Sequence, residues 1–183
     1  MSKLLIGAVI FLVIIVVSNV ILNRMEKAAL AKAIEKENEA RARWTPQEKQ
    51  AHDELQKKAA SGARREFLDY AVWLDDHQQY REAKTWYERV TDGVEVVVTD
   101  CTDYEGGVAH YRLGLLYRNG YGVERDEKAA IRHFLSSQKS GNDDGTRSVI
   151  YAFRNGIGVE NSAANRDVAD FYERELAKKQ GKL

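Results

Sequence analysis

The sequence contains little that would interrupt a helix or cross-link the chain. Pro46 is the only proline and Cys101 the only cysteine among 183 residues. One proline leaves nearly the whole chain free to form helices. One cysteine excludes an internal disulfide but leaves the redox compartment open. The formal net charge is zero, from 28 basic and 28 acidic residues, which argues against a nucleic-acid partner because such a partner requires a basic surface.

The sequence also lacks a recognisable catalytic or metal-binding pattern. Cys101 is flanked by aspartates, which raise the pKa of a thiol and weaken it as a nucleophile, even with His110 as a partner. Asp75-Asp76-His77 are adjacent, so on a helix they point in different directions and not towards one metal ion. Asn142-Asp143-Asp144-Gly145 lacks the alternating carboxylates and the closing Glu of a calcium loop. We therefore predict a non-enzymatic protein without catalytic residues, metal ligands or a cofactor.

The only long apolar run lies near the start of the chain. Leu4–Leu22 is nineteen residues without a charge, which is long enough to cross a bilayer as a helix. No small-x-small cleavage site follows it, so we predict an uncleaved single-pass anchor over residues 1–23 and not a signal peptide. Lys3 precedes the run and Arg24 follows it, so charge does not fix the orientation. The short leading segment favours a periplasmic or otherwise extracytoplasmic position for the rest of the chain, with the cytoplasmic side as the alternative.

A charged segment, residues 24–62, separates this run from the aromatic-rich remainder. It is rich in Ala, Glu and Lys, with opposite charges three and four positions apart, which is typical of a solvated helical stalk. A coiled-coil stem that uses Leu30 and Ile34 is the alternative, although it has few apolar heptad positions. Thr45-Pro46-Gln47-Glu48 combines an N-cap Thr, a proline in the first helical turn and a Glu three residues after the cap. This pattern predicts the start of a new helix that ends near Ser61-Gly62.

A repeated segment carries most of the information in this sequence. Phe153–Glu160 repeats Tyr117–Glu124 at an offset of 36 residues, with two glycines spaced by one residue in each copy. A period in this range is typical of stacked helical hairpins. In the first copy, Gly120 is suited to end a helix in the left-handed conformation, and Gly122 keeps the following loop compact. Asp126 is then a plausible N-cap for the second helix of the hairpin.

These residues resemble the Sel-one-like repeat, a tetratricopeptide-related family with the pattern A-x-x-x-L-G-x-x-Y-x-x-G-x-G-V-x-x-D-x-x-K-A. The resemblance covers roughly residues 65–175, within a repeat domain that we predict over 63–180. Its second copy, 145–172, is degenerate, and a still looser copy spans 71–87, as the outer units of a short array often do. The positions that define the repeat are Ala109, Leu113, Gly114, Tyr117, Gly120, Gly122, Val123, Asp126 and Ala129, followed by Gly156 and Gly158 in the second copy.

The resemblance implies an all-α fold, a short α-solenoid of helical hairpins, here preceded by the predicted transmembrane helix. It also implies a membrane-anchored adaptor that binds another protein. The alternative is an immunity protein that neutralises a toxin at the membrane, for example a phospholipase effector of type VI secretion. From helical phase, His110, Arg112 and Arg118 are candidate partner-binding residues on the solvent side of the first helices. Tyr104 is a further candidate within Gly93–Gly107, a β-branched insertion whose role the sequence does not determine.

Overall fold

The computed structural model describes the backbone of residues 3–92 and 103–182, and the side chains within these ranges except those of residues 3–14 and 16. Most of the insertion, residues 93–102 with Cys101, lies outside the described part. The chain divides into two compact units, Met1–Ala42 and Arg43–Leu183. All regular structure in the described ranges is helical. The helices are α1 Lys3–Ala42, α2 Pro46–Ala59, α3 Arg64–Asp76, α4 Tyr80–Thr91, α5 Tyr104–Asn119, α6 Glu127–Lys139, α7 Asp143–Asn155 and α8 Ala163–Lys179.

The predicted membrane anchor requires a correction. Within the described residues, no helix combines the length and the apolar character needed to cross a bilayer. A span needs about 20 consecutive apolar residues. Part of Leu4–Leu22 lies outside the described side chains. The predicted single-pass membrane localisation is therefore wrong, and the extracytoplasmic placement of the repeats loses the anchor from which it was inferred.

Helix α2 begins the second unit at the position that the sequence predicts. Thr45 Oγ1 accepts a hydrogen bond from the Glu48 backbone N–H at 3.2 Å, and the Thr45 N–H donates to Glu48 Oε2 at 2.6 Å. This reciprocal capping box satisfies two amide groups that the helix itself leaves unpaired. Next to it, the Trp44 and Trp73 rings meet edge to face with centroids 4.9 Å apart. The Trp pair thus joins the start of α2 to α3.

Three helical hairpins follow, α3–α4, α5–α6 and α7–α8. The second helix of each hairpin packs against the first helix of the next, and the first helices α3, α5 and α7 also contact one another in order. Stacking of this kind covers the apolar face that an isolated hairpin would expose to water. We call α3, α5 and α7 the first helices and α4, α6 and α8 the second helices.

Two apolar clusters hold the stack together. One lies between the first two hairpins and contains the fully buried rings of Tyr70 and Tyr87, while the other lies between the last two. Gly114 of α5 permits close packing in the second, because an added Cβ would lie 2.6 Å from a carbon of the Phe134 ring. The buried members of the first cluster are Ala59, Leu68, Tyr70, Ala71, Leu74, Ala83, Tyr87, Val90, Ala109, Leu113 and Leu116, and those of the second are Ala130, Ile131, Phe134, Val149 and Ala152.

The glycine loops join α5 to α6 and α7 to α8, and each loop contacts the preceding hairpin in an equivalent way. Gly120 and Gly156 cap α5 and α7 in the left-handed conformation, with φ of 70° and 66°. A Cβ on Gly122 would approach the backbone nitrogen of Arg81 at the start of α4, and a Cβ on Gly158 would approach the backbone of Glu127 at the start of α6. The second glycine of each loop therefore lies directly against the first turn of the preceding hairpin's second helix.

Candidate protein-binding surface

The exposed side of the first helices forms the candidate site. Because α3, α5 and α7 contact one another in chain order, their exposed side chains are grouped as one candidate surface. We call this surface the first-helix face. Exposed side chains on these helices include Arg65 and Asp69 on α3, Tyr104 on α5, and Arg147 and Tyr151 on α7.

At the α3–α5 end of the first-helix face, an exposed tyrosine lies beside an arginine. The side chain of Tyr104 is 61% exposed, and the Arg65 guanidinium carbon lies 5.9 Å from its ring centroid. Arg65 Nε also lies 3.1 Å from Asp69 Oδ1. Tyrosine and arginine are the residue types that most often dominate binding energy at protein interfaces, so this arrangement is suited to contact a partner.

At the α7 end, a second exposed tyrosine borders a groove. Tyr151 is 56% exposed, and the open groove between α7 and α8 has a volume of about 460 Å³. Its lining combines the apolar Ile150 and Leu176 with the cationic Arg147 and Lys182. An apolar surface beside positive charge can accept an apolar side chain from a partner and favours a neighbouring acidic group.

The four candidate residues from the sequence are not equivalent in the structure. Tyr104 lies on the first-helix face. His110 is directed towards the second helix of its own hairpin, where its Nδ1 lies 3.2 Å from Nδ1 of His133. The half-buried Arg118 has its guanidinium carbon 5.9 Å from the Phe134 ring centroid. Arg112 forms an ion pair between α5 and α3, so three of the four side chains contact a neighbouring helix.

The Arg112 ion pair includes a largely buried carboxylate. Arg112 Nη1 lies 3.2 Å from Asp75 Oδ2, and the Tyr87 hydroxyl donates to the same oxygen at 3.1 Å. Burial raises the pKa of Asp75, although the positive charge of Arg112 opposes that shift. Desolvation of a carboxylate is tolerable when hydrogen bonds and an opposite charge compensate it. Arg112 therefore stabilises the α3–α5 contact.

We expect Arg112→Ala to lower the free energy of unfolding by about 2 kcal/mol, because it leaves Asp75 without its cation. Urea unfolding at pH 7 measures this change. Arg65→Ala is the matched control, since its exposed ion pair with Asp69 should contribute less than about 1 kcal/mol. Equal losses in the two variants would contradict a structural role for Arg112.

Arg64 binds the chain on both sides of residues 93–102. Its Nε donates to the Val90 carbonyl oxygen at 2.6 Å, and its two terminal nitrogens donate to the two carboxylate oxygens of Asp103 at 2.7 Å each. The side-chain hydrogen bonds from Arg64, assisted by the Gly106 amide, hold the pKa of Asp103 below its usual value. Two-point pairing with a carboxylate is a strong, directional interaction. It fixes residues on both sides of 93–102, next to Tyr104.

Sequence reasoning missed Arg65, Arg147 and Tyr151 on the first-helix face. Tyr151 stands 36 positions after Leu115, and Leu115 packs partly buried against the second apolar cluster. A tyrosine at the repeat position of a partly buried leucine is the sequence signal that could have drawn attention to this position. Its exposure depends on what packs over α7, which local periodicity does not specify.

No group of three or more His, Cys, Asp or Glu side chains suited to hold a metal ion occurs in the described part of the chain. The Asp75-Asp76-His77 and Asn142–Gly145 segments lie at helix ends. Asn142 Oδ1 accepts a hydrogen bond from the Gly145 amide at 2.9 Å and caps α7. These segments thus take part in structural contacts, among them the Asn142 cap and the Asp75–Arg112 ion pair.

The chain was compared with known protein families, sequences and structures, and only structures gave matches. No protein-family model matches the chain, and no curated protein matches its sequence. The fold is similar to that of a Sel1 repeat protein from Oxalobacter formigenes, with a TM-score of 0.57 and 20% sequence identity. The alignment covers 70% of this chain and 49% of the Oxalobacter chain. A protective antigen from uropathogenic Escherichia coli that displays an SLR fold aligns with 70% of this chain and 33% of its own, with a TM-score of 0.45 and 18% identity.

The first of these structures confirms the predicted fold of the repeat region. At 20% identity the likeness concerns the fold alone, and the chain spans about half the length of that neighbour. The stacked hairpins described here have the architecture of Sel1 repeats. The transmembrane helix that the sequence prediction placed before them is not supported by the described residues.

Proposed function

We propose that this chain is a non-enzymatic adaptor that binds another protein through the first-helix face. The observation that carries the proposal is the pair of exposed tyrosines, Tyr104 and Tyr151, each beside an arginine on neighbouring first helices. An exposed tyrosine supplies a large apolar contact area at a small entropic cost, and arginine adds charge-assisted hydrogen bonds. Because a fold does not by itself determine a function, the proposal depends on these side chains.

The hairpin stack supports this use of the surface. Buried apolar clusters and the glycine loops hold α3, α5 and α7 in register, so the exposed side chains are held at constant spacing. A preorganised surface loses little conformational entropy when a partner binds. The mixed charge of Arg65, Asp69 and Arg147 favours a specific complementary partner over a uniformly acidic polymer.

The decisive experiment compares two aromatic surfaces in the full chain. Wild type, the double variant Tyr104→Ala/Tyr151→Ala and the control Phe171→Ala are used to capture partners from the native organism, with quantitative mass spectrometry. Phe171 is 51% exposed on α8, a second helix, so its loss removes a similar aromatic area from another surface. We expect a stoichiometric partner to remain with wild type and the control and to be lost with the double variant.

Two results would count against the proposal. One is a partner that the double variant retains fully while circular dichroism shows that it is folded. The other is the absence of any stoichiometric partner for folded wild type. The alternative role as an immunity protein was argued from a membrane location, which the described residues contradict. No remaining feature of the described chain favours it over the adaptor.

A further inference from the structure

We propose that His110 and His133 form a two-histidine site for a divalent transition-metal cation, such as Zn²⁺, Ni²⁺ or Cu²⁺, on the α5–α6 hairpin. The two Nδ1 atoms lie 3.2 Å apart, although the residues are 23 positions apart in the chain. His110 is on α5 and His133 is on α6, and both side chains are half-buried. A cation bound there would cross-link the two helices.

The distance between the nitrogens suits a shared metal ion. Histidine nitrogens coordinate zinc at about 2.0–2.1 Å, so two ligands at a tetrahedral angle lie about 3.3 Å from each other. The observed separation is close to this value. A small rotation of the imidazole rings about their Cβ–Cγ bonds is needed to aim both lone pairs at a common point.

The surrounding packing already restricts the two rings. The His133 ring stacks on Tyr117 of α5, with centroids 5.4 Å apart and an angle of 9° between the planes. Phe134, the residue after His133, packs closely against Gly114 of α5 and holds the same hairpin together. Ligands that packing holds near their bound positions lose less entropy when the metal binds.

The protonation state also suits metal binding. Burial lowers the pKa of both histidines, and for His133 the value falls to about 4. At neutral pH both rings are therefore neutral, which is the form that coordinates a metal, and the Nδ1 proton that one ring donates moves to its Nε2 when the metal binds. In the hydrogen-bonded pair, one ring donates its Nδ1 proton and the other accepts it, and tautomer exchange frees both nitrogens.

Nearby charges moderate the affinity without preventing binding. Lys84 and Arg132 lie near His133, and Arg64 lies near His110. Lys84 Nζ is paired with Glu88 at 2.5 Å, and Arg64 is paired with Asp103, whose carboxylate in turn acts on His110. The pairs reduce the repulsion that a cation would meet. With two protein ligands and water in the other positions, the site is weaker than a three- or four-ligand zinc site.

The donor atoms define the class of ion. Imidazole nitrogen suits Zn²⁺, Ni²⁺ and Cu²⁺, whereas Mg²⁺ and Ca²⁺ prefer oxygen ligands. The test is isothermal titration of the full chain with Zn²⁺ at pH 7.5, with Mg²⁺ as the negative control. Cu²⁺ binding, followed by electron paramagnetic resonance, reports the number of coordinated nitrogens directly.

We expect wild type to bind one Zn²⁺ and to show a two-nitrogen Cu²⁺ signal, and both should be lost in His110→Gln and in His133→Gln. The double variant His52→Gln/His77→Gln removes the other two histidines and should bind as wild type does. Circular dichroism confirms folding of each variant. Absence of Zn²⁺ binding to wild type, or equal binding by either α5–α6 variant, would overturn the proposal.

Discussion

Replacing Gly122 with alanine should lower the free energy of unfolding of the repeat unit by about 3 kcal/mol. Two effects add. Gly122 has a φ of 67°, and its Cβ would lie 2.7 Å from the Arg81 backbone nitrogen and 2.9 Å from the Tyr80 carbonyl carbon. Backbone atoms at a helix start cannot move aside as a side-chain end can, so the hairpins would have to separate.

Gly120→Ala is the matched control for this variant. Gly120 has a similar φ of 70°, but its added Cβ would meet its nearest neighbours only at 3.4–3.6 Å, an ordinary contact. The left-handed backbone alone should therefore cost about 1–2 kcal/mol. Equilibrium denaturation of both variants separates conformational strain from steric contact between hairpins. If the two variants lose the same stability, the close approach at Gly122 makes no contribution.

Acidification from pH 7 to pH 4 should destabilise the α5–α6 hairpin by about 2 kcal/mol through His133. Burial lowers the pKa of His133 from 6.5 to about 4. The unfolded chain therefore binds a proton near pH 6.5 that the folded chain accepts only near pH 4. Stability is full above pH 6.5, falls as the pH drops through this window, and does not change further below it. Solvent reaches this half-buried ring and limits the loss in the free energy of unfolding to about 2 kcal/mol.

The charges around the pair act in the same direction. His110, Arg132 and Lys84 all disfavour a proton on His133. On the α5 side, Asp103 favours a charged His110 and partly offsets its burial, whereas Arg64 opposes it. A second proton in this pair would place two like charges within 3.2 Å. Protonation of both rings thus replaces a hydrogen bond between α5 and α6 with a repulsion.

Urea unfolding at several pH values between 7 and 4, with a chelator present to exclude metal binding, measures this dependence. Wild type is compared with His133→Gln, which retains a polar side chain that does not titrate. Carboxylates titrate in both proteins, so the difference between their pH profiles reports the His133 contribution. Parallel profiles for wild type and His133→Gln would show that the pair does not control acid stability.

Local chemistry in the sequence predicted the parts of the fold that neighbouring residues control. The Thr45–Glu48 capping box and the Asp126 N-cap form where the sequence places them, and Asp126 Oδ1 accepts from the Ala129 amide at 2.9 Å. Gly120 and Gly156 end their helices in the left-handed conformation. Each of these features depends on a few adjacent residues, because a cap or a helix end is a local hydrogen-bonding problem. For the same reason, the repeat of the glycine loop was sufficient to indicate stacked hairpins.

Charge and aromatic patterns were less informative about the candidate site. Helical phase suggested that His110 and Arg112 face solvent, but the structure pairs them with His133 and Asp75 on other helices. Phase states on which side of a helix a residue lies and does not state which element covers that side. Tyr151 shows the opposite case, since an aromatic residue at a position that is partly buried in the neighbouring repeat stays exposed on α7.

The sequence alone therefore determined the helical-hairpin architecture, its period and the glycines that allow it. Only the tertiary structure decided which polar side chains stabilise the stack and which remain available on the first-helix face. The physical reason is the separation along the chain of the residues that interact. Caps, turns and helical periodicity arise from contacts within a few residues, whereas the Arg112–Asp75 and His110–His133 pairs join residues 37 and 23 positions apart. Such pairs depend on the angle and spacing at which whole helices pack, which the summed burial of many apolar side chains determines.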